Sequence, residues 1–218
     1  MKQVDIVNPY FKDILKNAEW FTGDDPKKHV HCFGSSEKHD WYVSHEYAKQ
    51  IIDQGTKHDG YPDEMYGYSF NKSRVKFQGN DIKSQNVIIQ KHEELINTFK
   101  QEYAMKNNAL FTLYPPNGFI SWHNNANAAA YNVILTWSET GDGYFEYFDI
   151  NKKEFIRVQD VPGWSCKVSY FGHYGEPDKL LYHAAHTNCW RMTISFVFDL
   201  SESSQFAQEM FIEDISSE

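Results

Sequence analysis

The chain has 218 residues, 41% of them hydrophobic and 17% aromatic, which excludes a disordered protein and makes a single domain the natural expectation. Thirty acidic against 21 basic side chains give a formal charge of -9, a poor footprint for nucleic-acid phosphates. No apolar run approaches the ~20 residues that span a bilayer, and residues 1–9 lack a secretory apolar stretch. Cys32, Cys166 and Cys189 are odd in number and scattered, so the expected compartment is reducing and cytoplasmic.

Along the chain the character changes near residue 108, with no repeat or low-complexity linker to mark a second domain. The first part, 1–108, reads as helical and irregular support. Ser44 is a plausible N-cap for a helix with Tyr47, Ala48, Ile51 and Ile52 on one face and Gly55 as its stop. Ser84 is placed to cap a longer helix whose Ile88, Leu95, Ile96, Phe99 and Tyr103 form a stripe that would back a sheet. From 109 to 199 short runs rich in aromatic and β-branched residues follow: 110–113, 119–123, 131–137, 144–148, 155–158, 166–171 and 192–198. Turn residues separate them, including Asn117-Gly118, Gly141-Asp142-Gly143 and Pro162-Gly163, and the spacing predicts a sandwich or barrel. The tail, 200–218, reads as a short acidic helix carrying Phe206, Met210 and Phe211. The expected class is α+β, mainly β.

The chemistry concentrates between Tyr114 and Arg191. His123 and Asn125 are two apart on an expected strand, where side chains i and i+2 share a face. A second histidine follows, His183 or His186, and then Arg191 opens the last strong strand with Thr193 on its face. Two imidazoles with a third donor and open positions suit redox-active ferrous iron. A guanidinium beside a hydroxyl suits a carboxylate. Each residue alone has an ordinary explanation: a strand histidine is commonly a packed one, and Arg191 could pair with Asp199 or Glu146. There is no nucleophile elbow, phosphate-cradling glycine loop or paired C-x-x-C motif.

Two segments carry a family likeness: Tyr114-Pro-Pro-Asn-Gly118 leading to His123, and Arg191-Met-Thr-Ile-Ser-Phe-Val-Phe-Asp199. Residues 109–199 resemble the double-stranded β-helix (jelly-roll) core of iron(II)- and 2-oxoglutarate-dependent oxygenases, most of all the prolyl-hydroxylase branch. The resemblance implies Fe(II), 2-oxoglutarate and O2 as cofactor and cosubstrates, and a peptidyl, amino-acid or other small-molecule substrate hydroxylated at a C–H bond. It implies His123, Asn125 and His183 as the metal ligands, the family's spacing to Arg191 favouring His183 over His186. It implies Arg191 as anchor of the far 2-oxoglutarate carboxylate, with Tyr114, Thr193 and, on the following strand, Thr136 as supporting donors. Asn125 departs from the pattern, which has aspartate there. The departure leaves four options open: weak ligation by the amide, substitution by Glu146 or Asp149, a vacated position, or a retained fold that only binds. A cupin-type metalloprotein not using 2-oxoglutarate is a further alternative, though 124–130 offers none of the extra His or Glu ligands cupins supply. A nucleic-acid demethylase of the same superfamily is disfavoured by the acidic charge. Among the other histidines, His173 stands in a glycine-bounded loop that could reach substrate. The four tryptophans from Trp122 to Trp190 read as wall packing.

Overall fold

The computed structural model describes residues 1–217. Its strands and α-helices run β1 (Lys2–Val4), α1 (Pro9–Ala18), α2 (Asp24–His29), β2 (Cys32–Phe33), α3 (His39–Tyr42), α4 (His45–Gln54), β3 (Met65–Ser69) and α5 (Ile82–Tyr103). Then come β4 (Asn107–Tyr114), β5 (Gly118–His123), β6 (Ala130–Ser138), β7 (Gly143–Asp149), β8 (Glu154–Gln159), β9 (Gly163–Phe171), β10 (Tyr182–Thr187), β11 (Arg191–Phe198) and α6 (Glu202–Ile215).

All strand pairs are antiparallel, in the order β1-β9-β6-β11-β4-β3-β5-β10-β7-β8, with β2 beside β3. The turning point is β3. Its far end pairs with β4, Tyr68 opposite Leu113, and its near end pairs with β5, Met65 opposite Ile120. The sheet therefore curls into a major half (β1, β9, β6, β11, β4) and a minor half (β5, β10, β7, β8) that face each other. This is a double-stranded β-helix, or jelly-roll, core backed by helices, as expected from the sequence.

Period-2 alternation decides what each face does. On β11, Met192, Ile194, Phe196 and Phe198 point outward into the main core with Phe111, Leu113, Val133 and Leu135. The stripe of α5 (Leu95, Ile96, Phe99 and Tyr103) closes over them, and Phe11 of α1 and Phe211 of α6 complete the layer through edge-to-face contacts. Each such side chain removed from water contributes about 1.5–3 kcal/mol. The minor half is closed differently. Ser44 caps α4 by accepting from Tyr47 N–H, and Tyr47, Ala48 and Ile51 pack on Trp122, Tyr182 and Ala184. The Trp122 indole N–H donates to Val43 O at 3.1 Å.

Three local expectations change. The cap of α5 is Asp81, whose Oδ1 accepts from Ser84 N–H at 3.1 Å, so Ser84 lies inside the first turn. In α6 the packing side chains are Phe211 and Ile215, whereas Phe206 and Met210 face solvent. Strand β10, Tyr-His-Ala-Ala-His-Thr, is one that composition did not mark, because alanine and histidine carry little strand preference.

Candidate active site

Between the two halves lies a cavity of about 310 Å³. Among its lining residues are His123, Asn125, His183, Tyr114, Arg191 and Thr193, brought from four segments of the chain.

The two imidazoles meet because the ends of β5 and β10 pair, with His123 directly opposite His183. Their ring centroids are 4.1 Å apart. His123 Nδ1 lies 2.8 Å from Ser121 O and His183 Nδ1 lies 2.9 Å from Leu181 O. A carbonyl there fixes the proton on Nδ1 and leaves the Nε2 lone pair free, the tautomer a metal takes. Burial pushes the His183 pKa down to about 4. Burial, with the neighbouring His183 adding to it, holds His123 well below the ordinary histidine range. Both rings are neutral at physiological pH. Phe145 stacks on His183 at 5.5 Å and Phe171 meets it edge-on at 5.0 Å, fixing the ring and excluding water.

His186, three residues on from His183, falls on the opposite face of β10. It stacks on His39 at 5.1 Å and lies outside the cavity. Glu146 and Asp149 are not substitutes for the missing carboxylate. Glu146 pairs with Arg157 and His45 on the outer face of β7, and Asp149 accepts from the Asn151 and Lys152 backbone N–H groups in a turn. His173 turns to Glu176 at 3.3 Å, and Trp122, Trp137, Trp164 and Trp190 pack in the walls; none of the five lines the cavity.

Asn125 reaches the cavity by another route than the one its spacing suggests. The strand ends at His123, and Asn125 adopts a left-handed backbone, φ 64°, followed by Ala126 at φ 52°. Asparagine tolerates this conformation better than most residues, and aspartate does so too. The turn is pinned by Asn125 N–H donating to Gly60 O at 2.9 Å. Gly60 itself has φ 85°, and a Cβ there would lie 2.2 Å from Ala126 N, so only glycine permits the approach.

Arg191 is buried and built into a polar cluster. Its Nε donates to Asp160 Oδ2 at 2.7 Å and its Nη1 to Thr193 Oγ1 at 2.6 Å, while Nη2 is buried without a partner among the described residues. Neither Asp199 nor Glu146 is its partner. Lys167, also buried, lies 3.4 Å from the other Asp160 oxygen. Burial pushes Lys167 down; Asp160 stays below the ordinary carboxylate range because Arg191 and Lys167 outweigh its burial. With Lys167 protonated, two cations flank one carboxylate and leave one surplus positive charge, which a bound carboxylate would balance. Thr193 sits in register with Thr112 on β4 and Thr136 on β6. The hydroxyls of Thr112 and Thr136 are buried and have no partner among the described residues. Tyr114 is buried 5.8 Å from the Arg191 guanidinium, its pKa pushed up to about 12 by burial, and its hydroxyl points to Met65 Sδ at 3.8 Å.

Among the described residues no three His, Cys, Asp or Glu side chains gather as a metal site. What is gathered is two ligand-type imidazoles, with Asn125 lining the same cavity. These donors suit a divalent transition metal, held more weakly than with a carboxylate, and the orphaned Arg191 Nη2 suits a carboxylate ligand; Thr136, in register with Thr193, is buried and does not line the cavity. Asp160 and Lys167 carry no signal in the sequence. Asp160 follows β8 in a turn, and only the folded register brings it to Arg191.

No protein-family model matches the chain, and no curated protein matches it in sequence. Among solved structures it is similar to a prolyl-4-hydroxylase from Pseudomonas putida, at 13% identity and a TM-score of 0.34, over 80% of this chain and 95% of that one. It is similar also to a prolyl hydroxylase from Trichoplax adhaerens in complex with a hypoxia-inducible factor peptide fragment, at 9% identity and a TM-score of 0.36, over 89% and 95%. Drosophila melanogaster CENP-C bound to CAL1 matches at 7% identity and a TM-score of 0.30, over 70% and 98%. At such scores the likeness carries no argument about function, which rests on the chain's own residues.

Proposed function

We propose that the chain is an Fe(II)- and 2-oxoglutarate-dependent oxygenase that hydroxylates a C–H bond of a small-molecule or peptidyl substrate. The observation that supports this most is the pairing, in one cavity, of two neutral imidazoles with free Nε2 atoms and a buried arginine with a free Nη2. His123 and His183 would hold the metal, with the Asn125 amide oxygen as third donor. Arg191, oriented by Asp160 and Thr193, would receive the far carboxylate, with Tyr114 as wall. Bound there, iron and 2-oxoglutarate would supply, with O2 as the oxidant, oxidative decarboxylation to succinate and CO2 coupled to hydroxylation of a substrate C–H bond. Phe145 and Phe171 keep bulk water from the His183 ring, which strengthens every electrostatic contact in the site.

Asn125 favours a second reading, a β-helix protein that binds a carboxylate ligand without turning it over. The two separate cleanly. Protein loaded with Fe(II) and 2-oxoglutarate and exposed to air releases succinate in an Arg191-dependent manner under the first reading. Retained 2-oxoglutarate affinity with no succinate, in the wild type and in Asn125→Asp, supports the second.

A further inference from the structure

The outer side of the helical layer carries an apolar groove that the oxygenase reading does not use. It has a volume of about 440 Å³ and is formed by the start of α1, the C-terminal end of α5 and one flank of α6. Tyr103 and Phe211, edge-to-face at 5.2 Å and buried, make its floor. Tyr10, Phe206 and Met210 make its walls and are 54%, 63% and 47% exposed. Phe206 and Met210 stand one turn apart on α6, so they form an apolar stripe beside the one that the helix buries. Large apolar side chains gathered in the open around a groove mark a contact surface, and Phe, Tyr and Met are types enriched in such contacts.

The charge around the groove has one sign. Glu102 and Asp214 line it, and among the described residues no lysine, arginine or histidine does. Asp214 is held by the Asn8 amide, which donates to its Oδ2 at 3.3 Å. Glu202, Glu209 and Glu213 are exposed and recur on α6 at intervals of seven and four, a row that flanks Phe206 and Met210. The helix carries no basic residue. The negative end of the α5 dipole, at Tyr103, adds to the same potential.

We propose that this groove docks a cationic amphipathic helix of a partner protein, its apolar face on Tyr10, Phe206 and Met210 and its lysine or arginine side chains on the carboxylates. Charge decides among the occupants that an apolar groove could take. The carboxylates repel an anionic bilayer surface and a nucleic acid alike. A second copy docked groove to groove would set the same carboxylates against each other. A basic helix gains from both parts of the surface: apolar residues at i, i+3, i+4 and i+7 enter the groove while its charges meet the rim. None of the groove residues lines the cavity around His123, and the proposal does not rest on the oxygenase reading.

The test is fluorescence anisotropy of labelled synthetic helices titrated with the full chain. One helix carries leucine on one face and lysine on the other. A second has glutamate in place of every lysine, and a third has the composition of the first in an order that leaves no apolar face. The first binds, and the other two bind about ten-fold more weakly or not at all. Phe206→Ser with Met210→Ser, and separately Glu209→Gln with Glu213→Gln, each weaken the first helix about five-fold or more. The melting temperature is unchanged in both double variants, because all four side chains are exposed. No binding of the first helix, equal binding of the first and third, or binding that survives both double variants overturns the proposal. Co-flotation with phosphatidylserine vesicles that depends on Phe206, or a dimer in sedimentation that Phe206→Ser disperses, gives the groove to a membrane or to a second copy and overturns it too.

Discussion

The two faces of β11 share one backbone and differ in everything else. Its outward side chains, Met192, Ile194, Phe196 and Phe198, are apolar and close-packed under α5; its inward ones, Arg191, Thr193 and Ser195, join a cavity with orphaned donors. One face is satisfied and gains its stability from burial. The other is left incomplete, at a cost that a ligand can remove. A strand with period two thus builds the scaffold and the site from alternate residues, and damage to one face can be told from damage to the other.

The largest effect on both at once is expected for Arg191→Gln. It strands Asp160 in the interior with Lys167 as its one remaining cation, a loss of about 3–5 kcal/mol in a urea melt, and it removes measurable 2-oxoglutarate binding. Should that variant fail to fold, Arg191→Lys keeps the charge but not the fork, and 2-oxoglutarate affinity still falls ten-fold or more. On the outward face Phe196→Ala costs about 3–5 kcal/mol of stability and leaves 2-oxoglutarate affinity unchanged. A drop in affinity there would mean that the faces are not separable.

Acid strikes through the imidazoles. His183 and His186 have pKa values near 4 in the folded protein, below the ordinary 6.5, so the unfolded chain takes up protons first. Their contribution to stability is complete above pH 6.5 and falls as the pH drops toward 4. For His183 the loss at pH 5 is about 2 kcal/mol, and for the less deeply placed His186 it is smaller. Thermal melts at pH 7 and pH 5 read this. His183→Gln flattens the slope, whereas an unchanged slope would show that the ring is not what resists protonation. The smallest change is expected for Asn125→Asp. The left-handed turn accepts aspartate, and the added carboxylate tightens Mn(II) by about ten-fold, or 1.4 kcal/mol. Calorimetry that finds no gain would place residue 125 outside the metal's reach.

How legible was this in the chain? Most strands of both halves were, β5, β7 and β8 as well as β4, β6, β9 and β11, because they are dense in β-branched and aromatic residues, and α5 bears an apolar stripe broken by the buried His92. The order His123, His183, Arg191 was legible as a spacing, and the fold adds the parity that sends His186 outward. The rest was not local information. Strand β10 is written in alanine and histidine and is held by its neighbours' register. Asn125 reaches the cavity through a left-handed turn pinned by Gly60, a contact between residues far apart in sequence. Asp160 meets Arg191 only once β8 and β9 have folded back, so Asp199 and Glu146, which the sequence offers as partners, are the wrong ones.

The most direct test is anaerobic titration of the apo-protein with Fe(II) and 2-oxoglutarate, recording the weak visible charge-transfer band of the chelate. The expected result is a band that is lost in His123→Ala, in His183→Ala and in Arg191→Ala, and strengthened in Asn125→Asp. The absence of any band and of 2-oxoglutarate affinity, in the wild type and in Asn125→Asp alike, would contradict the oxygenase assignment.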